Sequence, residues 1–176
     1  MSDPTVGQLA DVVERTGRLI AGITPEQWSD PTPCSEWDVR ALVAHVVGGN
    51  ALFAAALSGQ TVTPGDYADS ADRLLAAFRA PGALEKVVTV PFGEVPAPIA
   101  LHLRLADLMV HGWDLAQATG QRADYPDDVV EQALAFSRSA LPLVRKQDGP
   151  FAPSEPVDLD ASALDRLAAF LGRKVG

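Results

Sequence analysis

Along most of this chain apolar residues recur at the three- and four-residue spacing of a helix. Leu9, Val12, Val13, Leu19 and Ile20 share one face of a segment from about Thr5 to Gly22. Thr24-Pro-Glu-Gln-Trp28 reads as a helix start of a single turn, with Thr24 as cap and Pro25 in the first position. The prolines of Asp30-Pro-Thr-Pro-Cys34 restrict the residues before them and predict extended chain. A second long helix opens near Ser35 to Asp38 and closes at Ser58-Gly59, with Val39, Leu42, Val43, Val46, Phe53 and Leu57 on its main apolar face. A third runs from about Tyr67 to Arg79, carries Leu74, Leu75 and Phe78, and stops at Pro81-Gly82. Lys86–Val90 and Glu94-Val95, joined around Phe92-Gly93, have the pattern of a short hairpin. The fourth helix is expected to begin after Pro98 and to end at Gly120, a left-handed cap. A fifth starts at Pro126, bears Val129, Val130, Leu134, Phe136 and Leu141, and is kinked or ended by Pro142. After a proline-rich connection, Ala161 to Leu171 forms a closing helix with Leu164, Leu167, Ala168 and Leu171 inward. The prediction is an all-α, four-helix bundle with extra short helices and a small β-hairpin, one domain over residues 1–176.

The fourth helix is the informative one, because its polar groups are not spread around it. At about 100° per residue, Arg104, Asp107, His111 and Asp114 fall on one narrow stripe, extended by Ala100 and Ala118. Leucines 101, 105, 108 and 115 flank it. Asp107 and His111 are one turn apart, with Cβ atoms about 5–6 Å from each other, so a carboxylate and an imidazole project together. Such a pair can take adjacent positions on one metal ion. The same stripe also suits the solvent face of an amphipathic helix whose charges pair at helical spacing.

If a metal is bound, the third ligand must be His45, which projects away from the main apolar face of the second helix. Around it lie Ala41, Gly48, Gly49, Leu52 and Ala56, small except for Leu52. The competing reading is a hydrogen-bonded core histidine. His102 points nearly opposite to Asp107 and does not belong to the set. Two imidazoles and one carboxylate suit zinc first, then nickel or iron, and three protein ligands leave room for water or substrate.

Composition narrows the choices. The net charge of -9 and the absence of a basic run disfavour nucleic acid. The uncharged stretch Ala41 to Gly59 is interrupted by His45, two glycines and Asn50, so it reads as a helix buried in protein and not in lipid. Cys34 is the single cysteine, which excludes an intramolecular disulfide and a Cys-rich zinc site, and no secretory signal precedes Thr5. A cytoplasmic protein is expected. Cys34 itself is read as a packed, inert thiol, and Asp114 either as a hydrogen-bond partner of a ligand's free ring nitrogen or as a surface ion pair.

Two segments carry a resemblance. Pro31-Thr-Pro-Cys-Ser-Glu-Trp-Asp-Val-Arg-Ala-Leu-Val-Ala-His45-Val-Val-Gly-Gly-Asn50 resembles the opening motif of the mycothiol-dependent maleylpyruvate isomerase family. Asp107-Leu-Met-Val-His111-Gly-Trp-Asp-Leu-Ala-Gln-Ala-Thr-Gly120 resembles its second metal-binding motif, and Phe151-Ala-Pro through Arg173 fits the ending of its smaller members. The resemblance implies a DinB-like bundle in which His45, Asp107 and His111 hold one divalent metal. Where the characterised isomerase type has Glu, this chain has Asp107, one methylene shorter. The full isomerase has a second domain that contributes to its active site, whereas this chain ends at Gly176. The expectation is therefore a metal-dependent thiol transferase or related enzyme, with a low-molecular-weight thiol such as mycothiol and a small electrophile as its partners. No catalytic residue beyond the metal ligands is assigned. The other expectation is a non-catalytic metal-binding or regulatory module, open to homodimerisation through an apolar helix face.

Overall fold

Side-chain caps fix where the helices begin. In this computed structural model, which describes residues 3–144 and 152–176, the Thr5 hydroxyl accepts from the Gln8 amide while the Gln8 side chain accepts from the Thr5 amide. That reciprocal box starts α1 (Val6–Ala21). Asp38 caps α2 (Val39–Ser58) through the Ala41 amide, and Asp66 caps α3 (Tyr67–Arg79) through Asp69. Pro25–Ser29 is a single 3₁₀ turn, and Pro31 pairs with Asp38 across the bend that precedes α2. Strands β1 (Val87–Val90) and β2 (Gly93–Pro96) form an antiparallel hairpin, with Val87 opposite Pro96 and Val90 opposite Gly93.

Three element ends differ from expectation. The helix α4 (Ala97–Thr119) starts ahead of Pro98, which occupies the first turn, where its missing N–H costs nothing. The helix α5 (Asp127–Val144) continues past Pro142 instead of stopping there, and α6 spans Ala163–Phe170. The side chain of Leu141 and all of Phe151, both expected to take part in the fold, lie outside the described residues.

One main core unites all six α-helices and the inner face of the hairpin around Leu9, Val12, Phe53, Leu74, Phe78, Leu101, Leu105, Leu108 and Leu134. A smaller cluster of Val39, Leu42, Val43, Val47, Ile23 and Leu115 seats the first half of α2. By length and mean hydropathy (1.6), α2 alone among the described helices passes as a membrane span, and half of that stretch is buried inside the molecule. Its apolar composition follows from packing against α3 on one side and α4 on another. Helix α4 is covered nearly all round, from Ala97 to Thr119, by α1, α2, α5 and α6. That burial is what makes its polar stripe informative.

Candidate metal centre

The stripe on α4 faces α2, not solvent. Arg104 is 1% exposed, His111 5% and Asp114 0%, so the solvent-face reading of these residues is excluded. A buried charge survives only if it is paired and hydrogen-bonded, and each of these is. The Arg104 guanidinium donates to Asp107 Oδ2 at 2.5 Å, to Asn50 Oδ1 at 3.1 and 2.8 Å, and to the Val46 carbonyl at 2.8 Å. Asn50 in turn donates to the Ser70 hydroxyl at 3.0 Å, which ties α3 into the same network.

Gly49 makes room for this. A Cβ there would overlap Arg104 Nη1, and the guanidinium cannot retreat without dropping its acceptors. Gly49→Ala is expected to lower stability by about 1–3 kcal/mol, because overpacking outweighs the roughly 1 kcal/mol that alanine adds to a helix. A urea unfolding midpoint equal to or above that of the wild type would refute this account of the glycine.

His45 from α2 meets Asp107 and His111 from α4. Nε2 of His45 stands 3.7 Å from Asp107 Oδ1, and Nε2 of His111 stands 3.4 Å from the same oxygen. All three donor atoms lie within 4.8 Å of one another. An ion about 2.1 Å from each donor needs donors roughly 3.0–3.4 Å apart, so small side-chain adjustments close the set. The two side chains nearest solvent are His45 (38% exposed) and Asp107 (34%), so the set opens outward while His111 forms its floor. Trp37 lies against His45 with ring centroids 4.5 Å apart and walls one side. His102 is elsewhere, stacked on Phe136 at 4.3 Å, as its angular position on the helix predicts.

Behind His111 the arrangement continues. Its Nδ1 is 3.0 Å from Asp114 Oδ2, so a hydrogen bond fixes the ring with Nε2 turned toward His45 and Asp107. Of the two roles open to Asp114, partnership with the ring nitrogen is the one formed, and its ion pair is buried. Arg173, beyond α6, grips the same carboxylate through Nε at 3.1 Å and Nη2 at 2.8 Å. Cys34, expected from sequence to be a packed, inert thiol, has polar partners: it donates to Asp114 Oδ2 at 3.3 Å and accepts from Arg173 Nη2 at 3.0 Å. Neither contact could be read from spacing, since Cys34, Asp114 and Arg173 are joined only by the folded chain.

Burial works against charge on His111, yet Asp107, with Asp114 and Cys34 adding hydrogen bonds, holds its pKa well above the usual histidine value. Burial likewise opposes ionisation of Asp107 and Asp114. For Asp107, His111, His45 and Arg104 outweigh it and keep the carboxyl well below its ordinary range; for Asp114, His111 and Arg173 do the same. In the metal-free protein the two flanking carboxylates therefore favour the imidazolium form of His111. Its stabilising contribution is present below the ordinary histidine pKa and is lost as pH rises through the raised value. The carboxylates contribute above their ordinary range and lose that contribution as pH falls through their depressed values.

These geometric features coincide with sequence kinship. Residues 9–69 match the family described as mycothiol maleylpyruvate isomerase N-terminal domain. Two proteins of Mycobacterium tuberculosis (strains CDC 1551 and H37Rv), each described as uncharacterized, are 38% identical to this chain over 165 residues. Those residues cover 89% of this chain and 91% of each relative. The chain belongs to the mycothiol maleylpyruvate isomerase N-terminal domain family. Its fold is that of a solved mycothiol-dependent maleylpyruvate isomerase, with a TM-score of 0.55 at 19% identity over 77% of this chain and 71% of that one. A histidine-to-alanine variant of that isomerase gives a TM-score of 0.54 at the same identity and coverage. The all-α bundle with a small hairpin expected from sequence is the fold observed, and it is shared with that isomerase. Within this family frame, the matched segment contributes His45, while Asp107, His111, Asp114 and Arg173 lie beyond it.

Proposed function

We propose that His45, Asp107 and His111 hold one divalent metal, zinc in the first instance, and that the protein is a thiol transferase or related enzyme. Its thiol would be of the mycothiol type and its acceptor a small electrophile, both handled in the cytoplasm. The observation that carries this reading is the convergence of the three donors, with Nδ1 of His111 already committed to Asp114. Bound there, the metal would lower the pKa of an incoming thiol and present it as thiolate at neutral pH.

The charges of the surrounding residues favour an anionic ligand. Asp107 is offset by Arg104, and Asp114 by Arg173. With neutral histidines the protein groups sum to zero, so the charge of a bound dication would be left for the open, solvent-facing side. A thiolate satisfies it. The roles then divide cleanly. Asp107 and the histidines bind, Arg104 and Asp114 orient them, and Trp37 excludes water from one flank of His45.

The test is a thiol-by-electrophile screen of zinc-loaded, chelator-stripped and His45→Ala protein. Turnover by the loaded protein alone supports the proposal. Metal retained without thiol binding or turnover would instead favour a non-catalytic metal-binding module.

Metal uptake competes with the proton that Asp107 and Asp114 favour on His111, so apparent affinity is expected to rise with pH until that proton is gone. Calorimetry in buffers of different protonation enthalpy should count about one proton released per metal near neutrality. Release of none would mean that His111 is either neutral before the metal arrives or not a ligand, and the His111→Ala titration separates the two.

A further inference from the structure

His111 lies between two sets of donors. Its Nε2 belongs with His45 and Asp107. Its Nδ1 belongs with the Cys34 thiol and the Asp114 carboxylate, and these three donor atoms also lie within 4.8 Å of one another. The second set has the composition of a soft-metal site: a sulfur, an imidazole and a carboxylate. A divalent ion entering there would draw Nδ1 of His111 away from its hydrogen bond and would rotate or rob the first set of its third ligand.

That second set already holds a cation. The Arg173 guanidinium is 2.8 Å from Asp114 Oδ2, 3.1 Å from Asp114 Oδ1 and 3.0 Å from Cys34 Sγ. Its remaining nitrogen donates to the Leu171 carbonyl at 2.9 Å, which fixes the fork in place just past α6. A guanidinium is permanently charged and its planar fork spans two acceptors, so it occupies the carboxylate as a metal would but takes nothing from the imidazole.

We propose that Arg173 is a positioning residue that directs the metal: by filling the Cys34–His111–Asp114 set with a fixed positive charge, it repels a dication there and leaves His111 Nε2 to the His45–Asp107 set. Specificity between two overlapping sites is then achieved by a repulsive element at the wrong one. This rests on the metal reading given above, but the two can fail separately.

The experiment compares wild type, Arg173→Met, Arg173→Lys and Arg173→Met/Cys34→Ser, each equilibrated with cobalt(II) and freed of excess. Methionine keeps much of the stem and removes the charge. Stoichiometry comes from elemental analysis, and coordination from the near-ultraviolet thiolate-to-cobalt band. Wild type is expected to bind one cobalt without that band. Arg173→Met should show the band, Arg173→Lys should suppress it, and the added Cys34→Ser should abolish it. A spectrum and stoichiometry for Arg173→Met identical to wild type overturn the proposal, as does a thiolate band in the wild type. If wild type binds no cobalt, the metal reading of His45, Asp107 and His111 falls. The role of Arg173 is then decided by Arg173→Met alone, upheld by thiolate-bound cobalt and overturned by none. Circular dichroism of each variant separates misfolding from a change of site; if Arg173→Met fails to fold, Arg173→Gln, which also removes the charge, is read in its place, a thiolate band upholding the proposal and a wild-type spectrum overturning it.

Discussion

Replacing Arg104 with methionine is expected to lower the thermal midpoint by roughly 10 °C, more than any other single change on the α4 stripe. The side chain is fully enclosed, and its guanidinium makes four hydrogen bonds, to Asp107, Asn50 and the Val46 carbonyl. Methionine fills much of the space but strips the half-buried Asp107 carboxylate of its cation and leaves the buried Asn50 amide oxygen without the guanidinium. Breaking one side of a buried pair typically costs about 3–5 kcal/mol, and a chain of this size loses about 2–4 °C per kcal/mol. Lysine should not rescue it, because one ammonium cannot satisfy acceptors arranged for a planar fork. Differential scanning calorimetry of the metal-free proteins is the check. A drop of less than about 3 °C would mean that the network is worth no more than a surface ion pair.

The second large effect concerns metal retention, and it distinguishes the two histidines. Structural zinc sites bind with about 10–16 kcal/mol in total, so losing one of three protein ligands should cost about 3–4 kcal/mol, a few hundredfold or more in affinity. Both His45→Ala and His111→Ala are expected to show that loss in a competition titration. They should differ without metal. His45 is more than a third exposed, and its removal should leave stability within about 0.5 kcal/mol. His111 is enclosed between Asp107 and Asp114, so its removal leaves two carboxylates facing a gap and should destabilise the apo-protein as well. His102→Gln, remote from the site, serves as the control for metal. Equal affinities for wild type and His111→Ala would end the metal assignment.

How far the sequence reaches follows from what kind of signal each feature leaves. The helices are legible because spacing and caps are local: Tyr67–Arg79 and the end of α4 at Gly120 coincide with the periodic pattern and its stop signals. The beginning of α4 is not, because Pro98 resembles a boundary from outside and is a permitted first-turn residue from inside. The convergence of His45 with Asp107 and His111 is visible only as a question, since periodicity fixes directions around one helix and not the distance between two. Resemblance to a family answers it in expectation, and the folded contacts place the three donors together. Arg173 and Cys34 leave no trace in spacing. One stands before α2 and the other after α6, and they meet Asp114 only through tertiary packing. Asn50 looks like a polar blemish on an apolar helix. It proves to be the acceptor that lets an arginine be buried.

Arg104 has one further effect on Asp107. By occupying one lone pair of Oδ2, it favours donation to an ion through Oδ1, the oxygen nearer both histidines. An ion held by one donor atom from each of His45, Asp107 and His111 would keep one position open if it favours four neighbours and three if it favours six. A substrate reaching a six-coordinate ion with two donor atoms at once would find room beside the protein's own carboxylate, and exchange of one ion for another need not disturb the scaffold.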